Sequence, residues 1–419
     1  MKKFFINFDL VKTNNNFRAV FIARTISLMG LGMLAVALPK QVYDLTTDSM
    51  QVGIVMALEG IGLFVGLLYG GVLADRHDRK KLILLARSVC GLGYLALAIN
   101  AFVPTPSLWL IYVFSVWDGF FGALGVTALL ACMPHIVGRE NLMQARAISM
   151  VSMRLAGVAS PALGGLIITL GNVAWPYLFA AVGTGLTLLP LLRLPKMRPP
   201  ESPPQHPVSE LYDGFKFLFE NRIVGSVVVI GTLVTFTTAI RVVFPELAAT
   251  VYNGNAFALG LLYSAVPLGA TVGALVSAWA DKLKQPGQVM GYICFGVFAT
   301  VAVFGLVSNL WLALLLLVTF GYLSSIASLL QYTLVQGHTP DAYLGRINGL
   351  WTAQDACGDS IATMGIGAVG KVISVTGSIV LLGVVTMAGG AITLSLCKQL
   401  RTAPLTDESL DVPSEPEPV

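Results

Sequence analysis

The chain has 419 residues, 55% of them hydrophobic and 11% charged, with a net charge of +4 and a mean hydropathy of +0.77. Soluble domains carry roughly a quarter charged residues, so charge this scarce cannot cover a water-facing surface, and much of the surface must face lipid. The small positive balance, with no basic patch interleaved with aromatics, excludes nucleic acid as a partner.

A helix needs about 20 apolar residues to cross the hydrocarbon layer. Between polar breaks the sequence offers twelve such segments. Six lie near 17–43, 51–74, 82–102, 107–134, 141–169 and 173–194. Six more lie near 222–250, 257–280, 288–307, 309–337, 345–370 and 375–400. The expected fold class is therefore all-α, a polytopic membrane protein with twelve transmembrane helices. The basic start MKKFFINFDLVKTNNNFR leads to no small-residue cleavage site, so the first segment is expected to be retained as a spanning helix.

Orientation follows from Lys and Arg. Lys2, Lys3, Lys12 and Arg18 precede the first segment, and Arg76, Arg79, Lys80 and Lys81 follow the second. Arg139 joins the fourth and fifth; Lys196, Arg198 and Lys216 lie in the centre, and Lys282 and Lys284 follow the eighth. The opposite connections carry Lys40 and Lys371. The positive-inside rule then puts both termini in the cytoplasm. The central stretch RLPKMRPPESPPQHPVSE (193–210) holds six prolines and cannot span. Beyond it Leu211, Phe215 and Leu218 recur at helical spacing, the pattern of a short surface helix. The expected division is a six-helix half over 1–192, a cytoplasmic linker over 193–221, a second six-helix half over 222–401 and a disordered acidic tail over 402–419.

A shift of about 206 residues aligns landmarks of the two halves. Val52-Gly53 meets Leu259-Gly260, Gly66 meets Gly273, Asp75 meets Asp281 and Pro134 meets Pro340. Gly138-Arg139-Glu140-Asn141 meets Gly345-Arg346-Ile347-Asn348. Two similar halves joined by a cytoplasmic linker resemble the parallel-repeat plan of the major facilitator superfamily, which implies a substrate site at mid-membrane between the halves. The charged turn GGVLADRHDRKK resembles that family's signature between helices 2 and 3, Gly-x-x-x-Asp-Arg-x-Gly-Arg-Lys. Gly71, Asp75, Arg76, Arg79 and Lys80 fit it, and Asp78 stands where the family has glycine. The resemblance implies a latch between rocking states; plain cytoplasmic anchoring charge is the other reading. AGVASPALGG (156–165) resembles the helix-5 motif of the family's proton-exchanging exporters. Pro161, Gly164 and Gly165 match it, while Ala156 and Ser160 replace two glycines.

Ionisable residues at helix centres cost about 2.5–3.5 kcal/mol each on insertion scales and by default face a cavity. Arg24, Glu59, Asp118, Arg154, Arg241, Asp355 and Asp359 are of this kind. Thr237, Thr238, Ser324, Ser328 and Gln331 share their expected faces, with Tyr332 adjacent, and Trp117 and Trp351 accompany the charges. A cavity of Arg and aromatic faces suits an anionic or phenolic ring. The alternative is that each Arg pairs with an Asp only to hold helices together.

Other chemistries find no support. The five cysteines show no paired spacing and the four histidines no ligand cluster. GIGAVGKV (365–372) has Val372 where a P-loop needs Ser or Thr, and no strand precedes its glycines. No cofactor and no enzymatic constellation is expected. Within the superfamily, FRAVFIARTIS (17–27), GGVLADRHDRKKLILLAR (70–87) and WDGFFGALGVTALLA (117–131) are similar to the catecholate-siderophore (enterobactin-type) exporters of bacterial inner membranes. VGRENLMQA (137–145), SLLQYTLVQ (328–336) and LGRINGLWTAQ (344–354) extend that resemblance. It implies export of a siderophore to the periplasm in exchange for protons. Arg24, Trp117, Asp118, Arg154, Arg241, Gln331, Tyr332, Trp351 and Asp359 are then the expected cargo site, and Asp118, Asp359 and Glu59 the expected proton carriers. The bilayer and outer-membrane efflux components are the further partners expected. A broad drug-efflux antiporter fits the same motifs.

Overall fold

The computed structural model describes residues 8–138, 140–197, 216–218, 221–252, 254–283 and 285–404, the side chains of Asp75, Asp281, Lys282, Asp341, Ala342, Gly345 and Arg346 excepted. A short helix, Asp9–Thr13, leads into the first long one. The first six long helices are α1 (Asn15–Thr46), α2 (Ser49–Arg76), α3 (Arg79–Phe102), α4 (Leu108–Val137), α5 (Leu142–Leu170) and α6 (Ala174–Leu191). They are followed by α7 (Arg222–Thr238), α8 (Ala256–Val276), α9 (Pro286–Phe304), α10 (Leu310–Gly337), α11 (Asp341–Val372) and α12 (Val375–Leu396). Eleven of these spans are long and apolar enough to cross a membrane. The exception is α11, whose length suffices but whose composition is too polar, and it packs chiefly against α2 and also against α7.

Local chemistry explains why the turns are so tight. Asn14 caps α1 by accepting from Phe17 N at 2.9 Å, and its amide donates to Ile136 O on α4. Asp48 caps α2 through Met50 N and Asn255 caps α8 through Phe257 N. Asn309 caps α10 through Trp311 N, and Ser374 caps α12 through Gly377 N. Each cap satisfies backbone donors that a helix start leaves orphaned, so a helix can begin two residues after its neighbour ends.

Three boundaries differ from the hydropathy reading. The seventh segment is not one helix: a 3-10 turn, Ala239–Val243, separates α7 from a short helix Phe244–Thr250. Pro245 is the cause, because it has no N–H for the carbonyl four residues back. That carbonyl belongs to Arg241, and it accepts instead from Phe244 N, three residues on, and from Tyr263 Oη at 2.8 Å. The eighth segment ends in a 3-10 turn, Ser277–Lys282. The twelfth stops at Leu396, and Lys398–Thr402 forms a separate short helix. Most of the expected surface helix before Asn221, and the tail from 405, lie outside the described residues.

Helices α1–α6 pack on one another, as do α7–α12, and the two sets meet chiefly along α2–α11 and α5–α8. We call the end where α1 begins and α12 ends the near end. Both seams are tight at the far end. A methyl on Gly53 of α2 would stand 2.5 Å from Thr363 O of α11, and one on Gly260 of α8 would stand 2.6 Å from Pro161 O of α5. Polar contacts reinforce them: Lys371 Nζ lies 2.7 Å from Asp48 Oδ2, Ser49 donates to Glu246, and Thr169 donates to Asn255 at 3.2 Å. Nearer the termini, a methyl on Gly71 of α2 or Gly349 of α11 would meet nothing among the described residues.

Candidate functional site

Below the far-end seams lies a cavity of about 590 Å³, walled chiefly by the first set of helices and reached from the second by Arg241, Tyr263 and Asp359. Its wall is mostly apolar, with Leu28, Leu31, Leu63, Met56 and Phe114 among its residues. Six Arg, Asp and Glu side chains interrupt it: Arg24, Glu59, Arg87, Asp118, Arg241 and Asp359. Three cations and three anions thus converge at hydrocarbon depth, where a charge without a purpose is costly.

The second half makes a closed pair. Arg241 Nη2 lies 2.5 Å from Asp359 Oδ2, and its Nη1 donates to Thr238 Oγ1 at 3.2 Å. Thr238 Oγ1 also stands 3.1 Å from Asp359 Oδ1. The broken turn before Pro245 aims Arg241 inward, while α11 carries Asp359 to meet it. One turn away on α11, Asp355 accepts from Thr235 at 2.8 Å, so it is tied to α7. The first half is looser. Asp118 accepts from Tyr94 Oη at 2.7 Å. Arg24, Arg87 and Glu59 have no hydrogen bond or ion pair to another described residue.

At the near end the charged turn is built in detail. Arg79 is only 8% exposed; its Nη1 donates to Ala131 O at 2.8 Å and lies 3.1 Å from His135 Nδ1, which pins α3 to the end of α4. Arg76 is exposed and Lys80 half-buried. Asp78 caps α3 by accepting from Lys80 N at 3.0 Å and also accepts from Met197 N at 3.1 Å. Its backbone angles, φ −60° and ψ 112°, are ordinary for any residue, so this turn has no need of glycine. In α5, Pro161, Gly164 and Gly165 are buried. A methyl on Gly164 would meet Met33 Cα of α1 at 3.0 Å, and one on Gly165 would meet Ala256 O of α8 at 2.5 Å. The small residues therefore let α5 touch both neighbours backbone to backbone.

The model of the Major Facilitator Superfamily matches residues 20–363. The chain belongs to the major facilitator superfamily. It is 48% identical over 396 residues to the enterobactin exporter EntS of Citrobacter koseri (strain ATCC BAA-895 / CDC 4225-83 / SGSC4696), covering 94% of this chain and 95% of that one. The enterobactin exporter EntS of Escherichia coli O1:K1 / APEC is also 48% identical over the same shares. Among solved structures, a POT family transporter in complex with 5-aminolevulinic acid superposes with a TM-score of 0.73 at 13% identity, over 92% of this chain and 97% of that one. A bacterial homologue of the lysosomal transporter Spinster, in an inward-facing conformation, superposes with a TM-score of 0.69 at 14% identity, over 93% and 98%. These two likenesses show the facilitator fold.

Within that fold, the residues singled out by sequence separate into groups. Arg24, Glu59, Asp118, Arg241 and Asp359 line the cavity together. Trp117 does not: it is 37% exposed beside α3, its indole N–H donating to Val89 O at 3.0 Å. Tyr332 is 56% exposed and lies off the wall. Gln331 is 3% exposed and packs by Cys294 and Gly231 inside the second half, with Trp351 also near Gly231. Arg154 lies outside the cavity lining, with a buried Nε that has no hydrogen-bond partner among the described residues. The side chain of Asp75 lies outside the described residues, while a methyl on Gly71, at the near end, would meet none of the described ones. Sequence reasoning missed Arg87. It closes the quoted run RKKLILLAR, and its place eight residues inside α3, about 12 Å from the helix start, was the available signal.

Proposed function

We propose that the protein exports enterobactin or a similar catecholate siderophore from cytoplasm to periplasm across the bacterial inner membrane, by alternating access coupled to inward movement of protons. One observation carries this reading: an apolar cavity with six Arg, Asp and Glu side chains, sealed at the far end where α2 meets α11 and α5 meets α8. Its size and apolar wall suit aromatic rings, and its guanidiniums suit acidic hydroxyls. The 48% identity to relatives named enterobactin exporters supports the cargo.

The near end is the cytoplasmic one in this proposal. Arg18, Arg76, Lys80, Lys81, Arg193 and Lys196 cluster there, against Lys40 and Lys371 at the other end, as the positive-inside rule requires. The closed far-end seams then correspond to the stage that loads cargo from the cytoplasm. Asp359 taking a proton frees Arg241, and Asp118 and Glu59 are the other carboxylates able to carry protons past the cargo. Asp48–Lys371 and Ser49–Glu246 must break for release, after which outer-membrane efflux components receive the siderophore.

The test is deletion of the gene in its siderophore-producing host, followed by assay of spent medium under iron starvation. Loss of the intact siderophore, restored by this chain and not by its Asp359→Asn form, is the expected result. Normal secretion with new sensitivity to unrelated drugs would replace this reading with broad drug efflux.

A further inference from the structure

Arg24 on α1 and Arg87 on α3 face the same cavity from helices that start at the near end. They lie nine and eight residues past those starts, at matching depths of about 14 and 12 Å at 1.5 Å per residue. The charge of Arg87 acts on Arg24 as a like charge. Neither guanidinium makes a hydrogen bond or ion pair to another described residue, although Asp118 and Glu59 line the same cavity. Asp118 feels the charge of Arg87 but accepts a hydrogen bond from Tyr94. Ser27, one turn beyond Arg24, adds an independent sign: its Oγ is buried on the cavity wall and has no hydrogen-bond partner among the described residues. Arg241, by contrast, already has its anion in Asp359.

Two cations held at one depth repel until an anion sits between them, and a planar guanidinium best receives two oxygens at once. We propose that Arg24, Arg87 and Ser27 form an anion subsite of the cavity, which takes a bidentate oxyanion of the cargo, a catecholate or a carboxylate. The two guanidiniums together set the preference for charged over neutral cargo. This rests on the reading of the cavity as the cargo path and adds to it which wall binds the acidic group. It makes Arg241 a gating partner of Asp359, outside the anion clamp.

Binding to the purified full-length transporter in lipid nanodiscs tests the assignment with three probes. 2,3-Dihydroxybenzoate carries catechol and carboxylate, 3-phenylpropionate carries the carboxylate alone, and 2,3-dimethoxybenzamide carries neither. Arg87→Gln and Arg24→Gln are each expected to weaken the two anions by about 10- to 50-fold, as for loss of a charge-assisted hydrogen bond, with the amide changed by less than about twofold. Arg87→Lys keeps the charge without the fork and is expected to lose about fivefold, which carries the test where Arg87→Gln misfolds. An anion preference unchanged in all three variants overturns the subsite. Equal losses for both anions, with no advantage for the catechol in the wild type, uphold the subsite and remove the catecholate reading of function. Tight catechol binding that no substitution moves does the reverse.

Discussion

Replacing Gly165 by Ala tests whether the far-end seam defines a transport state. The new methyl would lie 2.5 Å from Ala256 O and 2.9 Å from Gly260 Cα. Both neighbours are backbone atoms and cannot rotate away, so α5 and α8 must part by about 1 Å to restore ordinary contact. Overpacking of this kind costs about 1–3 kcal/mol. At 1.4 kcal/mol per tenfold, that moves the balance about 5- to 150-fold away from the form with this seam closed. Opening the far end relieves this contact, and Ala is a better helix former than Gly, so folding itself is expected to survive. The assay is a pulsed spin-label distance between Thr105→Cys and Leu306→Cys, exposed far-end positions on opposite halves, with exposed Cys357 changed to Ser. The Gly165→Ala form should gain a population at longer distance and export more slowly. An unchanged distance distribution with an unchanged rate would refute the link between this seam and the transport cycle.

Asp359→Asn leaves Arg241 without its anion; at 31% and 22% side-chain exposure the loss should be about 1–3 kcal/mol, below the range for full burial, and it should appear as a lower unfolding midpoint. The double variant with Arg241→Gln should recover stability without recovering export. Asp78→Ala removes the cap of α3 and the tie to Met197 and should cost about 1 kcal/mol, whereas Asp78→Asn keeps the acceptor oxygen and most of the stability. Glu59→Gln should melt like the parent protein yet lose transport driven by a pH gradient in proteoliposomes; retained gradient dependence rules Glu59 out as a proton carrier.

Hydropathy and Lys/Arg spacing made the spanning segments legible, because each needs a fixed length of hydrocarbon between polar breaks. The rotation of a spanning helix is harder to read. In α4 nearly every face is apolar, so nothing in WDGFF tells which side meets the cavity. Neighbours on a helix point about 100° apart, and for that reason Asp118 reaches the cavity while Trp117 packs beside α3. Gln331 and Tyr332 divide in the same way, one inside the second half and the other exposed. Arg87 escaped notice for a different reason. Its neighbours Arg79 and Lys80 anchor the near-end turn, and a charge at the end of such a run reads as one more anchor until its depth along α3 is counted.

The duplication bears on what the intramembrane carboxylates are for. Gly66 and Gly273, matched in the sequence, do matching work: Gly66 lies against Phe120 of α4 and Gly273 against Tyr322 of α10. One turn away, Gly62 meets Val116 and Gly269 meets Val318, while Gly119 and Gly321 return the contact against the backbones of Glu59 and Val266. The α2–α4 and α8–α10 seams are thus built alike, residue for residue. In this register Glu59 stands where the second half has Val266, and Asp118, just before Gly119, stands where it has Phe320. An apolar side chain fills each equivalent place in a seam of the same closeness. Holding these helices together therefore does not require a carboxylate at either position, and each one adds an insertion cost of about 2.5–3.5 kcal/mol. That cost, absent at the matching positions Val266 and Phe320, argues that Glu59 and Asp118 serve the cavity they line rather than the packing behind it.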